Sequence, residues 1–341
     1  MDSMKSNPVT SRDVARLAGV SQATVSRTMA DGRVSADTRD RVRRAMDELG
    51  YVPHAGATAM KTRRTNTIGV VVADIVNPFY QEILDELTIE ISRRGLRVVV
   101  WNTGEGSQRD ALIAIREKAI DGVIFTTATE ESAELQTAVE RNSPLVLINR
   151  SVAGVECDEV VSENRTGAAS VADYLVENHR SNAAFIGGAA NASTSAERRD
   201  GFLSRMRELG HPLADDTIFD AGYSHKISRE LTANLLARPT PPAAIFCAND
   251  YMAFGALDAV RTAGLNSRDA PWVIGFDDVA IASWTSFDLT TVQQPTREMA
   301  RAGVQLLLER ISDPSAPPTK RIFPCRLIER GSTASSILAV Q

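Results

Sequence analysis

The sequence predicts a mixed α/β chain with a small all-α helix-turn-helix head, a short hinge helix, and a two-lobed body of parallel sheets. Three observations carry this reading. Residues 10–29 spell two short helices around a glycine, and from Thr67 onward apolar runs alternate with helical periods. The charge is also unevenly placed. Residues 1–64 hold 12 Lys+Arg against 7 Asp+Glu, or +5, while the remainder carries −10 within an overall −5. At 341 residues and 43% hydrophobic content, two or three folding units with a sizeable core are expected. A basic head on an acidic body points to a nucleic-acid-reading module attached to a domain with another task.

Each element has a local reason. Thr10 and Asp13 form a Thr-x-x-Asp capping box for a first helix, whose face is expected to bury Val14, Leu17 and Ala18. Gly19 ends that helix in the left-handed conformation. Ser21 caps a second helix in which Val25 and Met29 turn inward, leaving Gln22, Ala23, Ser26 and Arg27 outward. Such a helix suits the DNA major groove, although spacing alone also describes a plain αα-hairpin. Ser35 caps a third helix with Val42, Ala45, Met46 and Leu49 on one face, closed by Gly50. The segment from His54 to Lys61 is too short to hold as a free helix. It reads either as a tether or as a hinge helix that folds against DNA with Met60 as a minor-groove wedge.

In the body, Ile68–Ala73 is a continuous apolar run, as a buried parallel strand requires. A helix opens at Asn77-Pro78 and closes at Gly95. Further strands are expected at Leu96–Asn102, Val123–Thr126, Pro144–Asn149, Ala183–Ile186, Ala243–Cys247 and Trp272–Gly275, with helices between them, including one around Arg198–Leu209. Ligands of such folds lie beyond the carboxyl ends of the strands, and two facing lobes make a cleft.

Catalytic and metal signatures are missing. The chain lacks a P-loop, a GxSxG elbow and HExxH, and Gly104-Glu105-Gly106 is followed by Arg109 where GxGxxG needs its last glycine. His54, His179, His211 and His225 are scattered, Cys157, Cys247 and Cys325 lie far apart, and no CxxC occurs. Neither enzyme activity, cofactor nor metal is expected. No signal-peptide run or stretch of ~18–20 apolar residues occurs, so a cytoplasmic protein without a membrane partner is expected.

Seven segments in order, RDVARLAGVSQATVSR, ELGYVP, IGVVVADIVNPFY, AAIFCANDYMAFGAL, VIGFDD, DLTTVQQP and RLIERGST, closely resemble the lactose-repressor (LacI/GalR) family of bacterial transcription regulators. The resemblance implies a helix-turn-helix domain at 1–52, a hinge helix at 53–66, and a periplasmic-binding-protein-like effector and dimerisation domain at 67–341. Its N-lobe would span 67–161 and 293–323, and its C-lobe 162–292 and 324–341. It also implies a homodimer on a near-palindromic double-stranded operator, with a small sugar-like effector changing DNA affinity, as for a repressor of a carbohydrate-use operon.

By position, Gln22, Ala23 and Arg27 would select bases. Gln pairs with adenine, Arg with guanine, and Ala offers apolar contact to a thymine methyl, while phosphate contact is the other reading for Gln22 and Arg27. Thr10, Ser21, Thr24 and Ser26 suit backbone contacts, and Ala57, Met60 and Lys61 would serve the hinge. Phe79, Tyr80, Arg198, Tyr223, Asn249, Asp277 and Gln294 would meet the effector, unless Phe79 packs in the core or Arg198 pairs with Asp277. The family's hinge pattern Asn-x-x-Ala-Arg-x-Leu is altered here to His54, Thr58 and Met60, and Met29-Ala30 replaces Leu-Asn. Two other function classes stay open from the residues: a sugar-binding module with a protein-contacting head, and a sugar-acting enzyme.

Overall fold

The computed structural model describes residues 9–29, 32–52, 64–72, 75–102, 107–128, 133–265 and 269–334. The hinge residues His54, Ala57, Thr58, Met60 and Lys61 lie outside these. Residues 1–65 and 66–341 form two separate compact units.

In the first unit, α1 (Ser11–Ala18), α2 (Gln22–Met29) and α3 (Ala36–Leu49) follow the caps written in the sequence. The Asp13 carboxylate accepts from both the N–H and the hydroxyl of Thr10, at 3.0 and 2.7 Å. Gly19 (φ 63°) and Gly50 (φ 61°) close α1 and α3 in the left-handed region. Val14, Ala15, Ala18, Val25, Val42 and Ala45 make the core, with Met29, Met46 and Leu49 packed around it. Leu17 departs from expectation. It is 45% exposed, and Ala15 takes the inward place. At 100° per residue Ala18 falls between Val14 and Ala15, so the buried arc extends to the Ala15 side and leaves Leu17 beyond its other edge.

The second unit has two six-stranded sheets with helices packed against them. The first contains β1 (Thr67–Val72), β2 (Arg97–Asn102), β3 (Gly122–Phe125), β4 (Leu145–Ile148), β5 (Asp158–Ser162) and β11 (Lys320–Phe323), ordered β11-β5-β4-β3-β1-β2 and parallel throughout. The second contains β6 (Ala183–Gly187), β7 (Ile218–Asp220), β8 (Ala244–Cys247), β9 (Trp272–Asp277), β10 (Thr290–Gln293) and β12 (Arg326–Ile328), ordered β12-β10-β9-β8-β6-β7. Only β12, paired with β10, runs antiparallel. The chain therefore passes between the sheets three times: after Ser162, after Gln293 and after Phe323.

The helices are α4 (Pro78–Arg93), α5 (Ser107–Arg116), α6 (Ala133–Glu140), α7 (Asn164–Glu177), α8 (Ser193–Glu208), α9 (His225–Leu236), α10 (Asp250–Thr262) and α11 (Thr296–Ser312). Helix α4 packs on α11, α7 on α8, and α9 on α10. Strands β1, β3, β4, β6, β8 and β9 are fully buried, which is why they read as unbroken apolar runs. Helix α8 starts at Ser193, five residues before the periodicity announces it. Elements β5, β7, β10, β11, β12, α9 and α11 are additional to the sequence reading.

Candidate functional site

The outward surface of the first unit is set by what α2 buries. Val25 and Thr28 turn inward, and Thr28 also bonds the Thr24 carbonyl at 2.9 Å. Gln22, Ala23 and Arg27 are exposed. The Ser21 hydroxyl accepts the Thr24 N–H at 3.1 Å and caps the helix. Gln22 Nε2 donates to Ser11 Oγ at 2.9 Å and Arg27 Nε to the Ala23 carbonyl at 3.4 Å, so both side chains are held across the start of α2. Thr10, beside Asp13, is exposed at the start of α1, while Thr24 and Ser26 are half-buried.

The second unit has a cleft lined by Asn77, Phe79, Tyr80, Asn149, Arg150, Thr194, Arg198, Tyr223, Asn249 and Asp277. Asn77 and Asn249 begin helices, with side chains that accept the N–H groups of Phe79 (3.1 Å) and Met252 (2.9 Å). Phe79 and Tyr80 therefore enter on the first turn of α4, buried and edge-to-face at 5.4 Å. Tyr223, at φ 65°, lies over Gly188, where an added Cβ would stand 2.2 Å from the Tyr223 Cζ. Its hydroxyl shares a hydrogen bond with Thr194 at 2.9 Å.

Arg198 and Asp277 form the polar centre. Arg198 Nη1 meets Asp277 Oδ1 at 3.2 Å with both side chains under 5% exposed, which realises the pairing alternative. Arg198 Nε also donates to Asn164 Oδ1 at 2.9 Å, Nη1 donates to the Ala248 carbonyl at 2.6 Å, and the guanidinium lies 3.7 Å above the Phe276 ring. Gln294 stands behind Asp277, donating to its Oδ1 at 2.7 Å and accepting from Ser162. Burial pushes Asp277 up to about 6 despite the pull of Arg198 and Gln294. Below it, wholly buried Asp250 accepts from Thr291 and the Val279 N–H, and burial pushes it up to about 8. Only about 10 Å³ remains free in the cleft, around one water's worth.

Six of the seven expected effector residues thus meet on one cavity, with Gln294 one step behind. Asn77, Asn149, Arg150 and Thr194 also line it and were not singled out from the sequence. Asn149-Arg150 did carry a signal: two polar residues directly beyond the carboxyl end of buried β4, where α/β sheets bind ligands. The cysteines are free, and buried Cys247 is pushed up to about 12, an inert thiol. Among the described residues no cluster of potential metal ligands occurs, and no helix is long and apolar enough to cross a membrane.

A helix-turn-helix unit and a two-lobed α/β unit on one chain define a class, the DNA-binding transcription regulators. Residues 10–54 match the family described as bacterial regulatory proteins, lacI family, and residues 172–333 match a periplasmic binding protein-like domain. The HTH-type transcriptional repressor PurR of Vibrio parahaemolyticus is 32% identical over 319 residues, spanning 92% of this chain and 95% of the relative. The HTH-type transcriptional regulator DegA of Bacillus subtilis is 31% identical over 328 residues, spanning 94% and 97%. The lac repressor dimer bound to operator and the anti-inducer ONPF superposes with a TM-score of 0.84 at 26% identity, covering 96% of this chain and 99% of that one. The transcriptional regulator CelR in complex with cellobiose superposes at 0.72 and 28% identity, covering 95% and 99%. The chain belongs to the lacI family of bacterial regulatory proteins. It is a transcription regulator and not an enzyme.

Proposed function

We propose that this protein is an effector-responsive repressor that binds a near-palindromic operator as a homodimer. The observation carrying the proposal is the exposed row Gln22, Ala23 and Arg27 on a helix whose opposite face is locked into a three-helix core. Gln22 and Arg27 are the base-reading side chains, and Thr10, Ser21, Thr24 and Ser26 the positioning ones. Ala57, Met60 and Lys61 belong to a hinge that meets the minor groove. A dimer is supported by the operator-bound dimer among its structural neighbours and by the β2 edge strand, which presents Val99 and Val100 to solvent. The protein works in the cytoplasm, where its operator is.

The cleft is the effector site, and its occupant is sugar-like. Phe79, Tyr80 and Tyr223 offer ring faces for C–H groups, and Asp277, Arg198 and Asn249 offer paired donors and acceptors for adjacent hydroxyls. The CelR–cellobiose neighbour supports this chemistry, and control of carbohydrate-use genes follows from it. Small-molecule sites run to ~300–1,000 Å³. A cleft with about 10 Å³ free must therefore open to admit a ligand, and that opening is the switch. Its force is the ligand's difference in affinity for the two states.

The test selects inverted-repeat duplexes with the full chain, then measures Arg27→Ala on the selected operator and its single-base variants. Lost discrimination at one base pair, by ~1–3 kcal/mol, is expected. Equal weakening on every duplex would make Arg27 a phosphate clamp, and no selective duplex at all would end the proposal.

A further inference from the structure

The cleft has two guanidiniums and one carboxylate. Arg198 is matched by Asp277. Arg150 is 8% exposed, and among the described residues no carboxylate lies within 4 Å of it. Its Nη2 donates to the Tyr80 hydroxyl at 3.0 Å and its Cζ lies 5.5 Å from the Tyr223 ring centre, but its Nε has no partner. Beside it Asn149, 4% exposed and at φ 74°, has an Oδ1 with no partner either. Glu159, which accepts from the adjacent Ser151 hydroxyl at 2.9 Å, is already engaged by Lys320 at 2.8 Å. A buried cation without a counter-charge is costly, and natural sites satisfy it with a charged partner.

We propose that Arg150 is the counter-ion of an anionic effector, a sugar acid or sugar phosphate. Its carboxylate or phosphate oxygens take the free Nε–H and a neighbouring N–H, the forked geometry that guanidinium offers and ammonium does not. A ligand hydroxyl donates to Asn149 Oδ1. One negative charge brings the cleft to balance, and the ring faces and the Arg198–Asp277 centre remain for the polyol. The inference rests on the cleft being the effector site.

The test is thermal denaturation and calorimetry of the full chain with matched pairs: hexoses and pentoses against their uronates, aldonates and phosphate esters, with inorganic phosphate as a further probe. The acids or the esters should raise the midpoint well above their neutral parents, and which series does so separates carboxylate from phosphate. Arg150→Gln keeps a donor for Tyr80 but removes the charge. It should weaken the anion about 10- to 100-fold, the loss of a charge-assisted hydrogen bond, and should hold or raise the midpoint of the unliganded protein. Neutral parents binding as tightly as the acids, unaffected by Arg150→Gln, would overturn the inference while leaving the cleft as a sugar site. No response to any probe, with a lowered unliganded midpoint in Arg150→Gln, would mean that Arg150 is structural and would remove both readings.

Discussion

Asp277→Asn should cost the second unit far more stability than loss of one hydrogen bond suggests. The substitution keeps an acceptor for Gln294 but leaves Arg198, 2% exposed, as a buried cation with no carboxylate. Breaking a buried pair from one side costs about 3–5 kcal/mol, against about 1 kcal/mol for an ordinary hydrogen bond. For a unit this large each kcal/mol moves the midpoint by about 2 °C, so a fall of about 6–10 °C is expected. All three tryptophans, Trp101, Trp272 and Trp284, lie in this unit, so their fluorescence follows its melting without the head. Adding Arg198→Met to Asp277→Asn removes the orphaned cation, so the double variant should recover much of the loss. If the two substitutions add, with a coupling below about 1 kcal/mol, then the pair does not hold the cleft and its 3.2 Å contact is incidental.

Two further outcomes follow from the same interior. Asp250, with no cation beside it among the described residues and raised to about 8, binds a proton more tightly folded than unfolded. Its contribution therefore falls as pH rises from the unfolded carboxylate range, near 4, towards 8. The wild type should melt progressively lower from pH 5 to pH 8 in tryptophan fluorescence, and Asp250→Asn should flatten that slope; an unchanged slope would place the titration elsewhere. Gly255→Ala in α10 tests the packing of α9 on α10. Alanine normally gains up to ~1 kcal/mol over glycine within a helix, but here its Cβ would stand 2.2 Å from the His225 carbonyl oxygen. Overpacking at ~1–3 kcal/mol should win, lowering the urea midpoint.

The sequence was most legible where local rules act alone. The Thr10–Asp13 box, the Gly19 and Gly50 terminations and the buried apolar strands all appear where caps and runs place them. Edge strand β7 is three residues long and only half-buried, and β11 alternates exposed with half-buried residues, so neither forms an apolar run. Helix α11 begins after Pro295 with no capping side chain, so nothing announces it. Leu17 shows the limit of periodicity, which names a face but not its edge. In the cleft, residues at strand ends and helix starts could be named singly. That Arg198 spends itself on Asp277, or that Arg150 has no counter-ion, depends on which strands become neighbours, and no spacing encodes that.

If the cleft is the effector site, as proposed, Gln294 is placed to carry a ligand signal out of it. Its amide nitrogen holds Asp277, its amide oxygen accepts from Ser162, and its backbone N–H bonds the Asp277 carbonyl at 3.3 Å. Ser162 and Gln294 sit at two of the three passages between the sheets. With both ends of its amide engaged, Gln294 has less to offer a ligand than Arg150 or Asn149, and its bonds join two of the passages to the charged centre. On the proposed effector reading, a ligand that draws on Asp277 would compete with these bonds, and opening would shift the two passages together. Gln294→Leu should accordingly keep effector affinity within a few-fold while the ratio of operator affinities with and without effector falls towards one. Coupling in such systems is worth ~1–3 kcal/mol, so the wild-type ratio is large enough to measure by fluorescence anisotropy. Should Gln294→Leu abolish effector binding yet leave the coupling of any residual binding intact, Gln294 would be a ligand contact and the signal would run by another route.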